Sequence, residues 1–154
     1  MAVLAAGQPA PEFSLARHEG APFTRADLEG ARTLLVFYPF AFSPVCTDQL
    51  SIYNELLGDF AAHGLTVYGV SCDATYSQEA FRVQLGVEIA QLSDFEPKGA
   101  VCRAFGVLHP GGFPQRALVL IGPDAVVAWS YEAASPGELP GANLIFDALE
   151  ATAV

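Results

Sequence analysis

Pro39, Ser43 and Cys46 fall close together in the stretch YPFAFSPVCTD, Tyr38 to Asp48. A thiol is the strongest nucleophile among uncharged side chains once it loses its proton, and the start of a helix helps it do so. The first turn carries unpaired N–H groups and the positive end of the macrodipole. The spacing predicts that a strand ends near Tyr38 and a helix begins near Val45, with Cys46 in its first turn at the carboxyl end of a central strand. Open α/β sheets place their sites there. Pro39 can stiffen the loop and cover one side of the sulfur. Ser43 can set a hydroxyl beside the same turn, donating to a thiolate or accepting from a peroxide. A fixed cation would complete the set, and Arg116, at the head of RALVLI, is the candidate if its strand lies beside the one leading to Cys46. The bland alternative is that Cys46 is a small core hydrophobe, as many free cysteines are.

The elements that must position these groups follow from the hydrophobic pattern. RTLLVFYPF (32–40) is a continuous apolar, β-rich run ended by Pro39, as expected for a strand buried on both faces. From Thr47 to Ala62, Leu50, Tyr53, Leu56, Leu57 and Phe60 recur at helical spacing, and His63-Gly64 supplies a stop, so one helix of about four turns is expected. LTVYGVSCD (65–73) reads as a second buried strand, and Ser77 to Val87 as a helix with Ser77 at its N-cap. PKGAVCRAFGV (97–107) reads as a short helix, Arg116 to Tyr131 as a hairpin turning at Gly122-Pro123-Asp124, and GANLIFDALEATA as a closing helix. The first thirty residues, with Pro9, Pro11, Gly20, Pro22 and Gly30, read as a hairpin-like lead-in. The order β-α-β-α, then β-hairpin-α, predicts an α/β, thioredoxin-like fold: a mixed sheet flanked by helices, with an N-terminal extension, in one domain over residues 1–154.

Composition narrows the classes of function. With 52% hydrophobic and 16% charged residues the chain of 154 should pack a dense core. Its longest apolar stretch is too short to span a bilayer and nothing at the start reads as a signal peptide, so a cytoplasmic protein with no membrane partner is expected. Seventeen acidic against seven basic residues, a net charge of −10, argue against nucleic acid. Cys46, Cys72 and Cys102 are too widely spaced for a disulfide framework or a C-x-x-C zinc site, and His18, His63 and His109 are scattered, so neither metal nor cofactor is expected.

At these residues the chain resembles a known family. Pro39, Ser43 and Cys46 in YPFAFSPVC fill the peroxiredoxin signature P-x-x-x-T/S-x-x-C, and Arg116 in FPQRALVLIGPD matches that family's distant arginine. PAPEFSL, VYGVSCD and LSDFEPKGAVCRAFGV extend the likeness over nearly the whole chain, which is most similar to the bacterial alkyl hydroperoxide reductase E type, then to the bacterioferritin-comigratory type. The resemblance implies a thiol peroxidase that reduces hydrogen peroxide and organic hydroperoxides, with Cys46, Ser43, Pro39 and Arg116 as its catalytic set. It also implies an external thiol reductant, thioredoxin-, glutaredoxin- or mycothiol/bacillithiol-like, and a homodimer.

Two positions depart from the commoner pattern: Ser43 replaces threonine, and Gln49 replaces a glutamate that often follows the cysteine by three. Some relatives carry a resolving cysteine five residues after the first, where this chain has Ser51. A one-cysteine mechanism is therefore expected. The alternatives are an internal disulfide from Cys46 to Cys102 or Cys72, or a redox sensor passing oxidation to a partner. A thioredoxin-like disulfide oxidoreductase would want C-x-x-C, where Ser43 to Cys46 gives only S-x-x-C. Packing is the plain role for Cys72 and Cys102, while Phe40 and Phe42 can meet an alkyl hydroperoxide or a dimer face.

Overall fold

A computed structural model describes residues 2–152. The lead-in forms a small antiparallel ribbon, β1 (Ser14–Leu15) with β2 (Phe23–Thr24), followed by a 3-10 turn at Arg25–Leu28. The remaining elements are β3 (Arg32–Phe37), α1 (Pro44–Glu55), α2 (Leu57–Ala62), β4 (Leu65–Ser71), α3 (Thr75–Leu85) and β5 (Ala90–Ser93), then α4 (Ala100–Ala104), β6 (Ala117–Ile121), β7 (Val127–Glu132) and α5 (Ala142–Ala151). The five-stranded sheet runs β5-β4-β3-β6-β7. β3 is parallel to β4, β4 to β5, and β6 is antiparallel to both β3 and β7. This is the mixed sheet of a thioredoxin-like fold with an N-terminal extension.

Because side chains alternate across a strand, the apolar run of β3 feeds two layers at once. Leu34 and Val36, with Leu118 and Leu120 of β6, point to a layer holding Cys46, Leu50, Tyr53, Phe60, Phe81, Ile145 and Leu149. Leu35 and Phe37, with Val119 and Ile121, point to the opposite layer, built with Phe23 of the ribbon and Val101, Cys102 and Phe105 of the α4 region. Helices α1, α2, α3 and α5 therefore cover one face, and the ribbon and α4 cover the other. No helix among the described residues is long and apolar enough to cross a membrane.

Several boundaries differ from the sequence-based expectation. The expected single helix begins at Pro44, one residue from the expected start near Val45, but it breaks at Leu56, where φ and ψ are −105° and 5°. Gly58, a poor helix former, lies just beyond the break. Helix α3 starts at Thr75 with Ala74 in the N-cap position, and Ser77 lies inside it. Asp73 sets that start by tying the preceding turn together: its carboxylate accepts from the Ala41 N–H and the Ser71 hydroxyl, both at 2.8 Å. Strand β5, AQLS, was not expected, being short and half polar. The hairpin stands as expected, with its turn completed by Ala125 at φ 61°.

Candidate active site

Strand β3 ends at Phe37 and leads into Tyr38 and the buried Pro39, and the chain turns through Phe40, Ala41 and Phe42 before α1 begins. Phe42 sits at φ 70°, in the left-handed region that costs a residue with a side chain roughly 1–2 kcal/mol. Contacts on both sides hold this turn. The Phe42 ring packs 5.1 Å from Phe81, that of Phe40 lies 4.9 Å from Phe113, and the Ala41 N–H donates to Asp73.

Ser43 is the N-cap residue and Pro44 occupies the first helical position, where its missing N–H and fixed φ suit a helix start. Cys46 is the third residue of the helix. No side chain caps the start and its first turn holds no acidic residue, so neither offsets the positive end of α1. The Ser43 hydroxyl donates to the Phe40 carbonyl at 2.9 Å, closing the turn below the cap rather than pointing to the sulfur.

Arg116 reaches the same place from the adjacent strand, because β6 pairs with β3 and brings Ala117 opposite Phe37. Its side chain is buried, at 2% exposure, and every branch is used. Nη2 donates to Cys46 Sγ at 3.2 Å, Nη1 to Gln49 Oε1 at 2.5 Å, and Nε to the Pro136 carbonyl at 2.9 Å. Gln49 in turn donates to the Tyr53 hydroxyl at 3.3 Å, and Tyr53 to the Pro140 carbonyl at 2.6 Å; burial pushes the Tyr53 phenol up to about 12. Among the described residues no carboxylate lies within ion-pairing distance of Arg116. A buried guanidinium without a counter-ion is costly, and among its hydrogen-bond partners Cys46 Sγ is the one ionisable group.

Cys46 itself has no exposed surface. A cleft of about 280 Å³ beside it is walled by Phe40, Pro44, Val45, Phe113, Arg116 and Pro136, so the residue that contacts the sulfur is part of the cleft lining. The structure thus brings Pro39, Ser43, Cys46 and Arg116 to one loop and helix start. It adds Gln49, Tyr53 and the Pro136 carbonyl to the expected set. Gln49 and Tyr53 follow Cys46 by three and seven residues, the spacing of one helix face, so their position was readable though their partner was not.

The other thiols are elsewhere. Cys72 and Cys102 belong to the layer on the far side of the sheet from Cys46. Though widely spaced in the sequence, they meet in the fold: with Asp94 they form a group whose sulfur and oxygen atoms all lie within 4.8 Å of one another. The three histidines stay apart, His109 using Nδ1 to accept the Gly111 N–H at 2.9 Å.

Comparison with known proteins gives a consistent picture. The model of the AhpC/TSA family matches residues 6–130. Alkyl hydroperoxide reductase E of Mycobacterium bovis is 30% identical over 151 residues, 97% of this chain and 98% of that one. A peroxiredoxin relative from Mycobacterium tuberculosis is 38% identical over 103 residues, 67% of this chain, and the match spans only 64% of that relative's length. Among solved structures, AhpC of Enterococcus faecalis superposes with a TM-score of 0.85 at 26% identity, covering 96% of this chain and 91% of that one. BcpB of Mycobacterium tuberculosis superposes at 0.84 and 25%, covering 98% and 99%.

Proposed function

The chain belongs to the AhpC/TSA family, the peroxiredoxins, and on that premise we propose that it is a thiol-dependent peroxidase with Cys46 as nucleophile and Arg116 as its electrostatic partner. The observation that carries this reading is the 3.2 Å contact between Arg116 Nη2 and Cys46 Sγ, made by a buried guanidinium that has no carboxylate to share it.

The Cys46 thiolate attacks the outer oxygen of ROOH. A sulfur–oxygen bond forms as the O–O bond breaks, leaving Cys46 as sulfenic acid, and the departing RO⁻ takes a proton to become an alcohol, or water when R is hydrogen. Negative charge moves from sulfur to the leaving oxygen, and Arg116 with the uncapped N–H groups of α1 stays fixed while it does so. Pro39 supports this arrangement by fixing the loop floor, and Ser43 by closing the turn through the Phe40 carbonyl. A rotation about χ1 would bring the Ser43 hydroxyl toward the peroxide.

The sulfenic acid is returned to thiol from outside: one thiol condenses with it, releasing water and leaving a mixed disulfide, and a second thiol displaces the first. Two observations support this one-cysteine route. Ser51 occupies the position where some relatives carry a second thiol, and Cys72 and Cys102 lie across the sheet in the other layer. The reductant is an external thiol of the thioredoxin-, glutaredoxin- or low-molecular-weight type. Unpaired cysteines fit work in a reducing compartment, and both layers share β3 and β6, which supports one domain. The half-exposed Phe40 and Phe42, in the turn before α1, support a second copy of the chain as partner.

The test is the consumption of cumene hydroperoxide with dithiothreitol as reductant. Steady turnover by the wild type and none by Cys46→Ser is expected; equal consumption by both would overturn the assignment.

A further inference from the structure

The group on the far side of the sheet has the form of a second reactive centre. Cys72 follows β4, Asp94 follows β5, and Cys102 is the third residue of α4. Parallel pairing of β4 with β5 sets Ser71 beside Ser93, which brings Cys72 and Asp94 together, and α4 then folds back over them. Asp94 is buried and its carboxylate accepts the N–H of Val101 at 3.1 Å and of Cys102 at 2.8 Å, fixing the helix start against the strand ends.

The two thiols are unequal. Cys102 is fully buried while Cys72 is partly exposed and lines a cleft of about 340 Å³. That cleft has apolar walls in Pro39, Phe40 and Phe95, and one cation, Lys98. The neighbouring Cys102 thiol holds Cys72 below the usual thiol range, an effect that Lys98 assists against partial burial and the nearby carboxylates. The proximity of Cys72, with burial, holds Cys102 well above that range. An accessible thiolate backed by an inner protonated thiol is the arrangement in which thiol–disulfide exchange runs: the outer sulfur attacks, and the inner one resolves.

We propose that Cys72 and Cys102 form a second redox centre, separate from Cys46, that reduces small organic disulfides bound in the cleft beside Phe95 and Lys98. The Cys72 thiolate attacks one sulfur of R–S–S–R. A Cys72–S–S–R bond forms, the original S–S bond breaks, and RS⁻ leaves to take a proton from solvent. Cys102 gives up its proton as its sulfur attacks Cys72 Sγ. The Cys72–Cys102 disulfide forms as the second RS⁻ leaves and takes up that proton. The two protein thiols lose two electrons, and the substrate gains them as two thiols.

With sulfurs within 4.8 Å and a disulfide near 2.05 Å, the bond requires side-chain rotation and a small shift of the short α4. The rival occupant, a thiophilic metal ion, has a weaker claim. The group offers three donors, one of them a carboxylate whose two oxygens already accept backbone N–H groups.

The experiment leaves the peroxidase reading aside by using reduced Cys46→Ser protein. Excess bis(2-hydroxyethyl) disulfide is added, and released thiol and intact mass are followed. The proposal expects two thiols released per chain, a loss of about two mass units and a peptide linking Cys72 to Cys102. Adding Cys72→Ser should slow release at least about tenfold, and adding Cys102→Ala should stop the reaction at a mixed disulfide on Cys72. A lasting mixed disulfide in Cys46→Ser itself, no thiol release, or stoichiometric zinc that protects both thiols would each overturn it. The Cys46→Ser result decides the matter even if the Cys102→Ala variant does not fold.

Discussion

Cys46 and Cys102 occupy the same position in their helices, each the third residue, one in Ser-Pro-Val-Cys and the other in Gly-Ala-Val-Cys. Their surroundings are opposite. At α1 the helix start is uncapped, no acid lies in the first turn, and a buried guanidinium donates to the sulfur. At α4 a buried carboxylate accepts the N–H groups of the first turn, and the thiol beside it is held protonated by burial, by Cys72 and by Asp94. Two cysteines at equivalent helix positions, in opposite layers of one sheet, thus sit in opposite electrostatic surroundings. Helix position alone does not make a reactive thiol; the charge that answers the first turn decides it.

The largest effect that tests this contrast is removal of each sulfur. Cys46→Ser is expected to lower peroxide turnover at least about a thousandfold, as loss of a covalent nucleophile does. Cys102→Ser and Cys72→Ser are expected to leave it within about twofold, because they act in the other layer. Peroxide turnover that collapses in Cys102→Ser with the fold intact would erase the distinction.

Next in size is Arg116→Met, which keeps length and removes charge. Loss of one preorganised donor at a developing charge predicts a fall of about 10²–10³ in kcat/KM for peroxide, with the circular dichroism spectrum unchanged. Gln49→Leu leaves the guanidinium in place but removes the acceptor of Nη1, so a fall of about tenfold and a lower Tm are expected. Ser43→Ala removes only the bond that closes the turn, and about threefold is expected.

On the other face the contrast is sharpened by pH. In Cys46→Ser protein, alkylation of Cys72 by iodoacetamide should persist to lower pH than for an ordinary thiol, because the adjoining Cys102 thiol favours the thiolate. Cys102→Ala removes that thiol, so the profile should move to higher pH. A profile that does not move would mean that Lys98, and not Cys102, carries the effect.

Much of this was legible in the sequence, for a physical reason in each case. The unbroken apolar run of β3 could only be a strand covered on both faces, and the proline before a helical periodicity located Cys46. Arg116 was legible because a hairpin strand after a β-α-β unit has few places to lie. What was not legible depended on groups meeting across the fold. Gln49 stands out in the sequence only as a departure from a commoner glutamate, yet its side-chain oxygen accepts from Arg116 Nη1 and brings no negative charge to the guanidinium. Strand β5 has too few residues to show a period, and without its pairing to β4 nothing brings Cys72 near Cys102 and Asp94. The positive φ of Phe42 likewise arises from packing of Phe40 and Phe42 on either side of the turn, a cost that no local pattern announces.

The most direct test of the central claim is the intact mass of the reduced protein seconds after one equivalent of hydrogen peroxide, with and without dimedone, for the wild type and Cys46→Ser. The account predicts a dimedone adduct on the wild type, mapped to Cys46, and none on Cys46→Ser. A wild-type protein that stays unmodified, or whose adduct maps to Cys72 and survives in Cys46→Ser, would contradict it and return Cys46 to the core.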